Sequence, residues 1–205
     1  MKISLDEYST VIFDVDGTLY YISPVKFLIG IDMIVYLILH PSFINDMRII
    51  NEFRRIRKEN SWKRESLQKQ IQTVARKHDL TYDSCYKLIS RWMFERPSKY
   101  VYLFRNKAVT RLFHRCRENG INTVIYSDYP PMAKLDALNI HPDIIFYHGD
   151  GRINEMKPSA KAMETIKKRI SPYGTAILYI GDGDKTDNEG AVYVGAKYVN
   201  AHRIK

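Results

Sequence analysis

The segment Val11-Ile12-Phe13-Asp14-Val15-Asp16-Gly17-Thr18-Leu19 decides how this chain is read. From Thr10 to Asp14 the residues are apolar and β-rich without alternation, which suits a strand covered on both faces. The run ends in two acids one residue apart, then a glycine and a hydroxyl. Positions two apart in a strand share a face, so Asp14 and Asp16 begin on the same side. Carboxylates that close repel each other and lose solvation, so something must compensate for them. A divalent cation does so directly, and oxygen donors of this kind suit magnesium. The plainer alternative is a strand that ends in solvated acids, and the rest of the chain decides between the two.

Around this segment the composition is that of a globular protein, with 45% hydrophobic and 27% charged residues. A chain of 205 residues can bury a substantial core, as one domain or one domain with an insertion. Cys85 and Cys116 are far apart and form no metal spacing, so they read as packing residues in a reducing compartment. Residues 1–7 carry no apolar signal region, and the expected location is cytoplasmic. From 25 to 39 the chain reads VKFLIGIDMIVYLIL, interrupted by Lys26, Gly30 and Asp32. This is shorter than the ~20 apolar residues of a membrane span and carries two charges. A buried helix is the expectation, with a helix lying on a membrane surface as the alternative.

The formal charge is +9, a field that can draw anionic substrates, nucleic acid or acidic membranes. Fourteen Lys/Arg against seven Asp/Glu between Asp46 and Lys99 account for +7 of it. Charge runs on helices are usually solvated outer faces. A basic lid over a phosphate-bearing substrate is the functional reading. No nucleic-acid-binding motif is present, and a lid accounts for the charge equally well.

Residues 23–99 read as helices almost throughout. Ser23-Pro24 offers a capping hydroxyl and a proline at the first helical position. Ser42 can cap a second helix carrying Phe43, Ile44, Met47, Ile50 and Phe53 at helical spacing. Further helices are expected over 62–78 and 81–94, the latter capped by Thr81, with Pro97 closing the segment. Beyond it strands (122–126, 143–146, 175–180, 197–199) alternate with helices (106–119, 131–138, 158–170, 187–194). Such alternation implies a Rossmann-like α/β fold: a parallel sheet with helices on both faces.

Ligands of open parallel sheets bind beyond the carboxyl ends of the strands. Three strands here end in polar clusters: Asp14/Asp16, Ser127/Asp128 and Asp182/Asp184/Asp187, while Lys157 precedes a helix in Met156-Lys157-Pro158. If the strands are parallel, these clusters gather at one edge. The ordered set DVDGT, YSD, KP and GDGDKTD resembles the four motifs of the haloacid dehalogenase superfamily. Within it, the closest likeness is to the branch of phosphoglycolate phosphatase and β-phosphoglucomutase. The resemblance spans residues 10–20 and about 100–199. It implies a catalytic core of residues 1–20 and 100–205, with 21–99 as an inserted helical cap that sets substrate specificity.

The resemblance makes Asp14 the nucleophile that forms an aspartyl-phosphate and Asp16 the acid/base for leaving group and water. Mg2+ would join the Asp14 carboxylate, the Asp16 backbone carbonyl and Asp182, with Asp187 supporting the metal shell or holding Lys157. Ser127 and neighbouring N–H groups would hold phosphoryl oxygens, Thr18 would assist, and Lys157 would set a positive charge against nucleophile and phosphate. Asp128 belongs to the same phosphate-binding loop and reads as a residue that caps or orients it. Asp184 reads as a loop acid. Dehalogenases lack an acid at the position of Asp16, so its presence favours phosphoryl transfer. The expected function is a Mg2+-dependent phosphatase of a small phosphorylated metabolite. A phosphomutase using the same intermediate, or a binding protein that kept the fold, are the alternatives. Nothing in the sequence specifies an oligomeric state.

Overall fold

The computed structural model describes residues 3–59, 61 and 63–205. The sheet forms as the alternation requires. Five parallel strands, β1 (Thr10–Phe13), β2 (Asn122–Ser127), β3 (Ile144–Tyr147), β4 (Ile177–Gly181) and β5 (Lys197–Asn200), lie in the order β3-β2-β1-β4-β5. Every residue of β1, β2 and β4 is buried, as expected of strands covered on both faces. The register pairs Phe13 with Ile125 on one side and Ile180 on the other. With the strands parallel and in this register, the residues after β1, β2 and β4, Asp14, Asp128 and Asp182, leave the sheet at the same edge.

Four helices connect the strands: α6 (Lys107–Glu118), α7 (Met132–Ala137), α8 (Ala160–Ile170) and α9 (Thr186–Val194). Their starts follow local chemistry. Asn106 accepts from the Val109 N–H and Ser159 from the Ala162 N–H, each satisfying an otherwise orphaned donor. One apolar cluster packs α8 and α9 on the sheet through Met163, Ile166, Ala191 and Tyr179.

Between β1 and α6 the chain is helical: α1 (Ile22–Leu39), α2 (Phe43–Lys58), α3 (Leu67–Lys77), α4 (Tyr82–Ile89) and α5 (Ser98–Val101). A π-helical turn, Ser90–Glu95, follows α4 and buries both Trp92 and Phe94. These helices have a core of their own, built from Phe53, Ile71, Val74, Ile89 and Phe94. A second cluster runs without a break from Phe13 and Ile180 of the sheet to Val25, Phe43 and Trp92, so the inserted helices share apolar packing with the core. Cys85 and Cys116 are buried and unpaired, in the packing role expected of them.

Several expectations are corrected. Helix α1 begins at Ile22 without a side-chain cap, so Ser23 lies inside its first turn, and Ser42 makes no capping bond. The expected start of the third helix, Trp62, lies outside the described residues, as do Met1 and Lys2 of the N-terminal stretch; helix is present from Leu67. Pro97 does not close the helical segment, because α5 follows it. The largest correction is α1 itself. It packs by one face against α2 and α5, burying only Val25, Ile29 and Met33 of its 18 residues. It is not a buried helix.

Candidate active site

The site lies beyond the carboxyl ends of β1, β2 and β4. Asp14 follows β1 directly, its N–H donating to the Ile180 carbonyl of β4 at 2.9 Å. Asp14 is 7% exposed, and each oxygen of its carboxylate has a donor. Thr18 Oγ1 donates to Oδ2 at 2.9 Å and Lys157 Nζ to Oδ1 at 2.7 Å. Lys157 Nζ also donates to Asp187 Oδ1 at 3.0 Å. Asp187, in the first turn of α9, further accepts from Tyr179 Oη and the Gly183 N–H.

One buried ammonium therefore faces two buried carboxylates, and the electrostatics follow. Burial pushes Asp14 up to about 7, against the pull of Lys157 and with the push of Asp187. Burial alone would lower Lys157, but Asp14 and Asp187 hold it well above its ordinary value, so it stays a cation. Asp182 is also raised, by burial and by Asp187. Negative charge in this pocket exceeds what Lys157 neutralises.

The donor set fits a hard cation. Asp14, Asp182 and Asp187 each offer one carboxylate oxygen, and these oxygens lie within 4.8 Å of one another. Two glycines make the approach possible. Gly17 has φ +99°, and a Cβ there would sit 1.9 Å from Asp182 Oδ2. A Cβ at Gly181 would sit 2.4 Å from Asp187 Oδ2. Neither position admits a side chain while the carboxylates keep their places. A bound Mg2+ would relieve the excess charge, so magnesium should raise the melting temperature over EDTA by about 5–10 °C at a hundredfold excess over Kd. Asp182→Asn should lose most of that shift, and differential scanning fluorimetry reads it without any turnover.

Asp16 leads elsewhere. Its carboxylate accepts from Lys134 Nζ of α7 at 2.5 Å and from the Tyr20 hydroxyl, and so is not part of the three-acid group. Burial would raise it, but the Lys134 charge and both hydrogen bonds outweigh that and hold it below the ordinary carboxylate range. The two acids that began on one side of a strand end have opposite environments.

Two residues of the expected phosphate-binding loop have partners within the protein. Asp128 Oδ1 accepts from the Lys157 N–H at 2.8 Å, so it orients the lysine loop. Ser127 Oγ accepts from the Tyr129 N–H at 3.2 Å and still has a hydrogen to donate. Asp184 bonds Asn200 and Tyr198, as a loop acid should.

Three contributors escaped the sequence reading: Lys134, Tyr20 and Arg57. Arg57 of α2 is 4% exposed, donates to the Asp128 carbonyl at 2.6 Å and to Gln70, and lies 4.2 Å over the Tyr129 ring. It also meets Nδ1 of His148, which burial and the guanidinium lower to about 4, so the imidazole is neutral and accepts there. Arg57 thereby ties the inserted helices to the loop after β2. At Asp16 a cavity of about 630 Å³ opens between these helices and the segments that follow β1 and β2. Lys26, Arg54, Arg55, Arg57, Lys58 and Lys134 line it against a single carboxylate, Asp16, with Val25, Ile29, Trp92 and Met93 as apolar wall.

Comparison with known proteins gives the same frame. Residues 8–195 match the model of haloacid dehalogenase-like hydrolases. Among solved structures, a 2-haloacid dehalogenase from Pseudomonas syringae pv. Tomato DC3000 superposes with TM-score 0.61 at 15% identity, covering 93% of this chain and 85% of that one. The HAD-hydrolase YfnB from Bacillus subtilis, bound to magnesium, gives 0.59 at 13% identity over 93% and 87%. CbbY from Rhodobacter sphaeroides, in complex with phosphate, gives 0.55 at 14% identity over 94% and 85%. No curated protein matches significantly. At these identities the superpositions speak for the fold, whereas the family match spans nearly the whole chain, four of the five strands, the inserted helices and all three strand-end clusters included: this protein belongs to the haloacid dehalogenase-like hydrolases.

Proposed function

We propose that this hydrolase is a Mg2+-dependent phosphatase of a small phosphomonoester. One observation carries the reading: Asp14 and Asp16, two residues apart, are divided between two environments. Asp14 faces the buried Lys157 and the three-acid group. Asp16 faces the cavity, paired with Lys134. A nucleophile and a proton-transfer group need this division, because one must reach phosphorus and the other the leaving oxygen.

In the first step an Asp14 oxygen bonds to phosphorus as the bond to the leaving oxygen breaks, and that oxygen takes a proton from Asp16, which binds one once the anionic substrate draws Lys134 away from it. In the second, water attacks the aspartyl-phosphate, Asp16 takes the proton of the water, and the bond to Asp14 breaks. Thr18 and Lys157 aim the carboxylate, and the Lys157 charge opposes that of the phosphoryl group. Asp14, Asp182 and Asp187 would hold the Mg2+, which supplies charge neutralisation for an anionic nucleophile meeting an anionic substrate. The cation-lined cavity receives the leaving group, with residues 21–99 as the specificity-setting cap. Magnesium in YfnB and phosphate in CbbY agree with this reading.

The test sets p-nitrophenyl phosphate with magnesium or EDTA beside 2-chloropropionate. Magnesium-dependent phosphate release without halide release is expected, and halide release alone would contradict the proposal. Lys134→Met should lower kcat by about 10²-fold with little change in KM, as expected where a general acid/base loses its positioning partner. An unchanged kcat in steady-state assays would remove Lys134 from the machinery.

A further inference from the structure

The cavity at Asp16 holds more positive charge than the protein itself balances. Its single carboxylate, Asp16, is taken by Lys134. Arg55 is paired with Glu52 at 2.7 Å and with Glu59 at 2.8 Å. Among the described residues, no carboxylate pairs with the remaining cations of the wall, Lys26, Arg54, Arg57 and Lys58. Three of these come from α2, and at 100° per residue Arg54, Arg57 and Lys58 fall within about 100° of one another on the helix. They form one cationic strip facing the cavity.

Arg57 is the member that points to a ligand. It is 4% exposed, and its guanidinium meets three neutral acceptors: Gln70 Oε1, His148 Nδ1 and the Asp128 carbonyl. Its Nε is buried and has no acceptor. A buried cation without an opposite charge, carrying a donor without a partner, is costly to hold. An oxyanion in the cavity supplies the missing charge and the missing acceptor together.

The opposite wall limits what carries that oxyanion. Ile22, Val25, Ile29, Trp92 and Met93 make it apolar. Side-chain carbonyl and carboxylate oxygens come, among the described residues of the wall, from Asp16 and Asn51 alone, and Asp16 already accepts from Lys134 and Tyr20. A polyhydroxylated body would bring many O–H donors to few acceptors and lose its hydration to an apolar wall. We propose that the alcohol released from the substrate has an apolar body and bears a second oxyanion, a carboxylate or a phosphate, received by Arg57 with Arg54 and Lys58. This rests on the phosphatase reading for the position of the first phosphate and adds the chemistry of the leaving group.

The test is isothermal titration calorimetry of the full-length Asp14→Asn chain with magnesium at low salt. Two ligand pairs separate the two sources of the oxyanion: 4-carboxyphenyl phosphate beside the neutral 4-carbamoylphenyl phosphate, and 1,4-phenylene bisphosphate beside phenyl phosphate. The second oxyanion should tighten binding by about tenfold or more in at least one pair, as a charge-assisted hydrogen bond does, and the pair that responds identifies the group. High salt should shrink the gain. Arg57 also ties the inserted helices to the loop after β2, so the substitutions are made beside it: Arg54→Gln with Lys58→Gln should cut the gain to about threefold or less, in a protein that thermal unfolding shows to be folded. No gain in either pair overturns the proposal, as does a gain that survives the double substitution in full. Fructose 1,6-bisphosphate binding as tightly as 1,4-phenylene bisphosphate would overturn the apolar body. Binding is read without turnover, so a failed phosphatase assay leaves this result standing, and a missing gain leaves the phosphatase reading standing.

Discussion

Asp14→Asn is expected to reduce phosphate release by about 10⁴-fold or more, because an amide oxygen cannot replace the attacking carboxylate. The fold should survive the change. Asparagine is nearly isosteric, and Lys157 keeps Asp187 as a charge partner at 3.0 Å. Burial already pushes the Asp14 carboxyl up to about 7, so its charge is costly in the empty pocket and its removal costs little stability. The expected signature is thus a melting temperature within a few degrees of wild type together with lost turnover, read by scanning fluorimetry and by steady-state phosphate release. A variant that retains even a tenth of the activity would remove Asp14 from the nucleophile's role.

Lys157→Met should show the opposite balance, losing stability as well as activity. The lysine is 5% exposed and is the shared cation between Asp14 and Asp187. Removing one member of a buried ionic set leaves charge uncompensated, at a cost of about 3–5 kcal/mol. For a chain of this size that is a fall in melting temperature of about 10 °C. Part of the loss should return on adding magnesium, because the three acids then have another cation to face. Thermal unfolding with and without magnesium checks both halves, and a variant as stable as wild type in EDTA would contradict the charge balance described here.

How much of this was legible in the sequence depended on where each residue's information lay. The strands announced themselves through uninterrupted apolar runs, and their polar ends placed Asp14, Ser127 and Asp182 at one edge once the sheet was known to be parallel. Lys134 was not legible: it sits in a helix of six residues, and its partner Asp16 is 118 positions away. Arg57 was hidden differently, within the basic run Arg54-Arg55-Ile56-Arg57-Lys58, where pattern alone suggests a solvated face. Only the packing of α2 against the loop after β2 buries it. Asp128 could be assigned to the right loop but not to its partner, since the Lys157 N–H comes from another segment. Helix α1 was legible as a helix, yet hydropathy cannot say which of two apolar faces the protein itself will cover.

The central claim is that Asp14 forms the covalent intermediate, and acid quenching during turnover tests it most directly. Asp16→Asn should slow both the departure of the alcohol and the hydrolysis that follows. With an activated aryl phosphate, whose leaving group needs little protonation, the second step is the slower one and phosphoenzyme accumulates. Peptide mapping of the quenched protein by mass spectrometry should then place one phosphoryl group on Asp14, in the peptide that contains Val11–Leu19, and none on the Asp14→Asn protein. Phosphate released at wild-type rates with no phosphoryl group on Asp14, or with the group on another residue, would contradict the account.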